Sequence, residues 1–304
     1  MVDRREFLAA TAAFLGAPSL PRSDRTRLIL LGTAGGPRPK VDRAATSQVL
    51  LISDRAYVVD CGDGVARQLV TAGVRLDALE KIFITHHHSD HNADYGNLLL
   101  LAWASGLKTP VEAYGPPPLE RMTRLVFELH QFDIETRIQD ENRVPLAPLV
   151  RAKDVTTSGL VVDDGRVRVR AALVSHSRIE HAFGYRFDTE NRSIVISGDT
   201  AFSKDLLELA RGADVLVHEA LYLPGIERTA ARVANAPGLL EHIVRSHTTV
   251  EDAARLASEA GVKTLVLSHL VPSDGPLVTE ADWLSAAKKH FAGEIVVARD
   301  LLEI

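Results

Sequence analysis

Residues 84–96 read ITHHHSDHNADYG, four histidines and two aspartates in thirteen positions, directly after an apolar run. This cluster constrains the fold more than any other feature, because polar groups at the mouth of a buried strand cost free energy unless something pairs with them. His86 and His88 stand two apart, so on an extended segment their imidazoles project to one side. Asp90 and His91 follow as the chain turns out of the strand. Such spacing points to two metal ions held close together, an arrangement suited to in-line displacement at a phosphoryl or acyl centre. Cys61 is the only cysteine. A thiolate cage is therefore excluded, and further ligands must be His, Asp or Glu.

Three other apolar strands end in a ligand-type residue: ALVSHS in His176, VISGDT in Asp199 and LVLSHL in His269. One such residue would be read as a satisfied core group, but four strand ends carrying them are unlikely to be independent accidents. His181, five residues after His176, is the rival at its strand mouth. His176 is preferred because it ends the alternating RVRVRAALVSH strand directly. His87 alternates away from its neighbours and is expected in packing around the cluster, as is His218 beside Glu219. Asp60 and Asp63 flank Cys61 in DCGDG and are expected to serve a tight turn, with contact to the ligands allowed.

Along the chain, β-branched runs alternate with helical patterns. RLILLGTAGG, SQVLLISD, AYVVDCGDG and KIFIT read as strands, and GVARQLVTAG as a helix stopping at Gly73. Asn97 to Gly106 reads as a buried helix, and residues 119–130 as an amphipathic one. The second half repeats the alternation with RVRVRAALVSH, FGYRFD, SIVISGDT, DVLVHEA and KTLVLSH. Thr248 and Glu251 stand three apart as a capping box for a helix that stops at Gly261. No Pro/Ser-rich linker divides the chain. One domain of two similar halves is expected over residues 26–304, as two sheets packed face to face with helices outside.

Residues 1–25 are set apart. Arg4 and Arg5 precede a weakly apolar stretch, Phe7 to Ala17, too short to span a bilayer. It resembles a twin-arginine export signal, the alternative being a frayed amphipathic helix. The expectation is passage through the twin-arginine machinery to the periplasm or exterior, without stable membrane insertion. Net charge is −5 with no long basic run, which disfavours a long polyanion as the everyday partner.

THHHSDH, then His176, SGDT and SHL in that order, resembles the metallo-β-lactamase superfamily. LLGTAGG, VVDCGDGVARQL, FGYRF, VHEA and SHTT point more narrowly to its ribonuclease Z-like branch, which includes arylsulfatase-like members. The resemblance spans roughly residues 28–304. It implies an α/β fold, an αββα sandwich of two mixed β-sheets flanked by helices, with metals at one edge between the sheets. It further implies two zinc ions, with manganese or iron as substitutes. His86, His88 and His176 would hold one, Asp90, His91 and His269 the other, with Asp199 bridging. Asp90, His247 and Glu219 would complete the catalytic set. His247 would contact the leaving group and Glu219 would orient it, although His247 also stands where it could serve only the helix start.

Transfer-RNA-processing members carry a flexible arm between FGYR and GDT. Here FGYRFDTENRSIVISGDT leaves no room for one. The expected substrate is therefore a small phosphodiester or similar ester. An arylsulfate ester is the close rival, a lactone or carboxylic ester the third choice, and transfer RNA is disfavoured. An inactive metal- or nucleic-acid-binding protein is the non-enzyme alternative, and a homodimer is allowed. The extra length in residues 113–160 and 221–246 is expected to cover the substrate.

Overall fold

The first strand, Arg27–Gly32, is apolar on both faces because both faces are covered. Leu28 and Leu30 point into a core between two sheets, while Ile29 and Leu31 point outward into a second core under helices. The computed structural model describes residues 26–230, 238–273 and 278–304. The export signal expected in residues 1–25 lies outside them.

Among the described residues, fourteen strands build two sheets of seven. The first half supplies β1 Arg27–Gly32, β2 Ser47–Ile52, β3 Arg55–Val59, β4 Leu79–Phe83, β5 Val111–Gly115 and β6 Val150–Asp154. The second supplies β7 Gly159–Asp163, β8 Val167–His176, β9 Ile179–Thr189, β10 Ser193–Ile196, β11 Val215–Leu221, β12 Thr264–Val271 and β13 Glu294–Val297. Then β14 Leu302–Glu303 returns to the first sheet beside β1. The orders are β14-β1-β2-β3-β4-β5-β6 and β13-β12-β11-β10-β9-β8-β7. Both sheets run antiparallel through three pairings and parallel through three more. The two halves thus share one plan.

Leu50, Tyr57, Phe83, Phe183, Tyr185, Phe187 and Val266 fill the space between the sheets. Phe83 stacks on Tyr114 at 5.4 Å and meets Phe187 edge-on at 5.1 Å. Helices Val65–Thr71 and Tyr95–Ala104 cover the outside of the first sheet. Lys204–Ala210, Val250–Ala260 and Glu280–Ala287 cover the second. The expected αββα sandwich is the observed one.

One element is added and one local reading shifts. The helix expected over residues 119–130 is observed as Leu119–Leu129, and a second helix, Gln131–Glu141, follows directly after His130. The cap expected at Thr248 with Glu251 lies one residue on, where the Thr249 side chain accepts from the Asp252 amide as a simple N-cap. Thr248 is drawn elsewhere: its amide donates to Glu219 Oε1 and its hydroxyl to the Thr200 carbonyl.

A charged latch joins the sheets at the rim that holds Lys81. Lys81, buried, lies 3.1 Å from Glu112, 3.2 Å from Asp164 and 3.6 Å from Glu80. The Tyr57 hydroxyl meets Glu80 and Asp164 as well. Removing this buried cation leaves Glu80, Asp164 and Glu112 to the more exposed Arg55, Arg166 and Lys153. Since those carboxylates are partly solvated, Lys81→Met should cost about 2 kcal/mol, measured as a lower urea midpoint. An unchanged midpoint would show that the latch contributes nothing.

Candidate metal centre

The predicted residues collect at the opposite edge, beyond the carboxyl ends of β4, β8, β10, β11 and β12. In open parallel sheets this is where ligand sites form, because successive strands deliver their following loops to one rim. After β4, residues 84–88 stay extended and the short helix Ser89–Asn92 begins with His88 at its N-cap. That turn delivers His86, His88, Asp90 and His91 together.

His86 Nε2 and His176 Nε2 each lie 3.1 Å from His88 Nδ1. Asp90, His91, Asp199 and His269 form a second group. His91 Nε2 and His269 Nε2 are each 3.3 Å from Asp199 Oδ2, and His269 Nε2 is 3.3 Å from Asp90 Oδ2. Asp199 Oδ2 also lies 3.9 Å from both His86 Nε2 and His176 Nε2. One oxygen therefore stands between the two groups. His181, on β9, belongs to neither. The register against β8 places an extra residue on β9 between Ala182 and Ile179, leaving His176 at the strand mouth.

Local backbone features aim these side chains. The β11–β12 register jumps from Glu219↔Ser268 to Ala220↔Leu270, so His269 is a bulged residue, with φ 43°. Bulges of this kind re-aim a side chain. Gly35 lies so close to it that an added Cβ would sit 2.9 Å from His269 Nδ1 and 2.5 Å from Val271 Cγ2. The neighbouring Gly36 amide donates to Asp90 Oδ2.

A surrounding set of hydrogen bonds fixes ring orientation and tautomer. Asp60, buried, accepts from the Thr85 amide and hydroxyl and from His91 Nδ1 at 2.8 Å. Because the Thr85 hydroxyl donates its proton to Asp60, it accepts from His86 Nδ1. His176 Nδ1 donates to the Ser246 carbonyl. Nε2 is thus the lone-pair nitrogen on His86 and His176, as ligation requires. Burial opposes charge on His91, but Asp199 and Asp60 outweigh it and hold the ring well above the usual imidazole range, so a cation bound there would displace its Nε2 proton. Asp60 has the supporting contact expected of it, whereas Asp63 is exposed. His87 bonds Pro116 and Asn92, and His218 bonds the Glu219 carbonyl, both away from the clusters. Spacing gave no sign of the parts played by Thr85, Thr200, Ser246 and Gly35. Each acts across the fold or through backbone atoms.

The electrostatics suit cations. Burial, then the neighbouring His91, holds His86 well below the usual imidazole range, and burial also lowers His88 and His176. These rings are neutral at pH 7, with lone pairs available. For Asp199, burial favours the neutral acid, but His269 and His91 outweigh it and keep the carboxyl well below the usual carboxylate range. His91 Nε2, Asp199 Oδ1 and His269 Nδ1 are buried without a hydrogen-bond partner. Buried polar atoms rarely stay unpaired. A set of three imidazoles beside two imidazoles and two carboxylates matches the donor chemistry of zinc. Tetrahedral bonds of about 2.1 Å would set neighbouring donors about 3.4 Å apart, near the distances seen here.

Glu219 and His247 stand beside the second group. His247 Nδ1 lies 2.9 Å from Glu219 Oε2, and Glu219 Oε1 accepts from the Thr200 amide at 2.9 Å. Burial opposes charge on His247, but Glu219 outweighs it and raises the ring to about 9. His247 is therefore an imidazolium at neutral pH, with Nε2–H left to donate. Above these groups lies a cleft of about 480 Å³, lined also by Arg38, Lys40, Ile226, Leu239 and Ile243. Of the two segments expected to cover the substrate, the one over residues 221–246 contributes Ile226, Leu239, His242 and Ile243 to this cleft. Residues 113–160 contribute none of its lining; Phe127, Ile134 and Ile138 pack around Trp103 and Leu146 instead.

The beta-lactamase superfamily domain matches residues 55–270. Ribonuclease Z of Mycobacterium bovis (strain BCG) is 32% identical over 277 residues, covering 90% of this chain and 96% of that protein. The chain belongs to the metallo-β-lactamase superfamily. It is a ribonuclease Z-like, metal-dependent hydrolase. Two solved structures share its fold. The metallo-β-lactamase fold protein YhfI from Bacillus subtilis has 22% identity and a TM-score of 0.68, with 92% of this chain and 98% of that one covered. The short form of human tRNase Z has 24% identity and a TM-score of 0.66, with 91% and 98% covered.

Asp60→Asn tests the supporting bonds. Either amide orientation sets an N–H against an N–H donor, at His91 or at the Thr85 amide. Metal affinity should fall about 10- to 100-fold, read by competition with a chelating indicator on protein whose circular dichroism is unchanged. Undiminished affinity would remove Asp60 from the site.

Proposed function

We propose that this protein is a dizinc phosphodiesterase acting on small diesters, exported in folded form. One observation carries the reading: two donor clusters with Asp199 standing between them line a cleft, with the His247–Glu219 pair beside them. His86, His88 and His176 would hold one ion. Asp90, His91 and His269 would hold the other, with Asp199 between them. Bound there, the ions would supply a hydroxide nucleophile at neutral pH and offset charge gathering on the phosphoryl oxygens.

The chain's own groups do the rest. Asp60, Thr85 and the Ser246 carbonyl keep the rings in the ligating tautomer. Glu219 holds the His247 imidazolium, which gives its Nε2 proton to the departing oxygen. Thr248 and Thr200 fix Glu219 in turn. Small diesters are favoured over folded RNA because β9 passes to β10 through a turn of three residues, Glu190 to Arg192. The Mycobacterium bovis relative carries the name ribonuclease Z, which makes transfer RNA the necessary comparison.

Purified protein should hydrolyse bis(p-nitrophenyl) phosphate, lose that activity to a chelator and regain it with zinc. Faster turnover of p-nitrophenyl sulfate, or efficient trimming of a precursor transfer RNA, would overturn the small-diester reading. His247→Ala should slow diesters of alkyl alcohols by about 10²- to 10⁴-fold, and p-nitrophenyl esters far less, since p-nitrophenolate departs unaided. Equal losses for both would remove the proton-donor role. Export rests on Arg4 and Arg5: changing both to lysine should leave the protein in the cytoplasm, and unaltered secretion would refute it.

A further inference from the structure

We propose that the leaving-group side of the cleft is an apolar pocket, so that the substrate is a phosphodiester whose departing alcohol is a hydrocarbon alcohol or phenol. The inference deepens the phosphodiesterase reading and rests on it. It stands on the placement of the apolar wall relative to His247.

Leu239, Ile243 and His247 are spaced i, i+4 and i+8, and the His247 amide donates to the Ile243 carbonyl, carrying the turn of the helix Leu239–Ser246 on to His247. All three line the cleft, so the hydrocarbon surface runs directly into the proton donor. Ile226 and Val271 add to the lining, and Val271 lies two residues beyond His269. Behind them Leu221 is fully buried, with Leu223 and Leu240 packed against it. The wall is therefore a firm part of a small core of its own. His242 on the same helix and Ser273, two residues after Val271, also line the cleft, as do Arg38 and Lys40.

The hydrocarbon surface thus adjoins His247, and the donor clusters line the same cleft. A leaving group that takes its proton from His247 must depart on the hydrocarbon side. In the balanced reaction, a water oxygen bonds to phosphorus and the phosphorus–oxygen bond to the alcohol breaks. The His247 Nε2 proton goes to the departing alkoxide, and the proton released by water restores the imidazolium through solvent. No redox partner is required.

The test uses the zinc-loaded protein and methyl phosphodiesters of phenol, 4-methyl-, 4-ethyl- and 4-butylphenol, whose acidities are nearly equal. Equal acidity separates contact from leaving-group chemistry. We expect kcat/KM to rise roughly threefold per methylene until the pocket is filled, and the 4-(hydroxymethyl)phenyl diester to fall below the 4-ethyl one. Ile243→Asn should flatten the slope, as should the near-isosteric Val271→Thr, both with zinc content retained. A flat slope in the unaltered protein, with turnover intact, overturns the apolar assignment and leaves the phosphodiesterase standing. So do variants that keep the full slope. No turnover across the series overturns both.

Discussion

Everything at this edge depends on the burial of Asp199. Its carboxylate is almost wholly removed from solvent, held among imidazoles, with one oxygen lacking a hydrogen bond. An ionised carboxylate in such a place is expensive unless positive charge faces it. Five histidine rings lie within 3.9 Å of it, and burial drives two of them, His86 and His176, neutral. Cations bound between the rings satisfy the carboxylate and the lone pairs together, which neither protons nor water can do as completely. The family's hydrolytic chemistry and the stability of its edge thus share one electrostatic origin.

The doubled sheet plan explains how seven residues, scattered from 86 to 269, reach one place. Each half sends its parallel strands toward the same rim, and the sandwich sets the two rims against each other. β4 contributes from the first sheet, and β8, β10 and β12 from the second. The supporting bonds run the same way: Asp60 at the end of β3 steadies residues after β4, and Glu219 on β11 steadies His247. Donors on stiff strand ends, each braced by a neighbour, lose little entropy on binding an ion.

Much of this was legible in the sequence, because strands and ligands leave local signatures. KIFIT followed by THHHSDH announces a buried strand delivering polar groups, and SGDT and SHL do the same. The helix Gln131–Glu141 was not legible, since its residues are mostly polar and Ile134 is the one it buries. The cap at Thr249 was misplaced by one residue because Thr248 and Thr249 are equally good caps in isolation. Only the tertiary pull of Glu219 and Thr200 on Thr248 decides between them. The apolar cleft wall was likewise hidden. Ile226, Ile243 and Val271 read as ordinary core residues until the fold brings them beside His247.

The anchoring of the loop after β1 carries a consequence for assembly. Asp300 accepts from the Thr33 hydroxyl, the Ala44 amide and the Gln68 side chain, while Arg43 reaches the Ala298 carbonyl and β14 zips onto β1. The loop that bears Gly35, Gly36 and Arg38 is therefore pinned by residues more than 250 positions downstream. Contacts so distant along the polymer form late, because closing a long loop costs entropy before it returns any. The first half cannot finish its own rim; the hydrolytic edge matures only as the polypeptide's two ends meet.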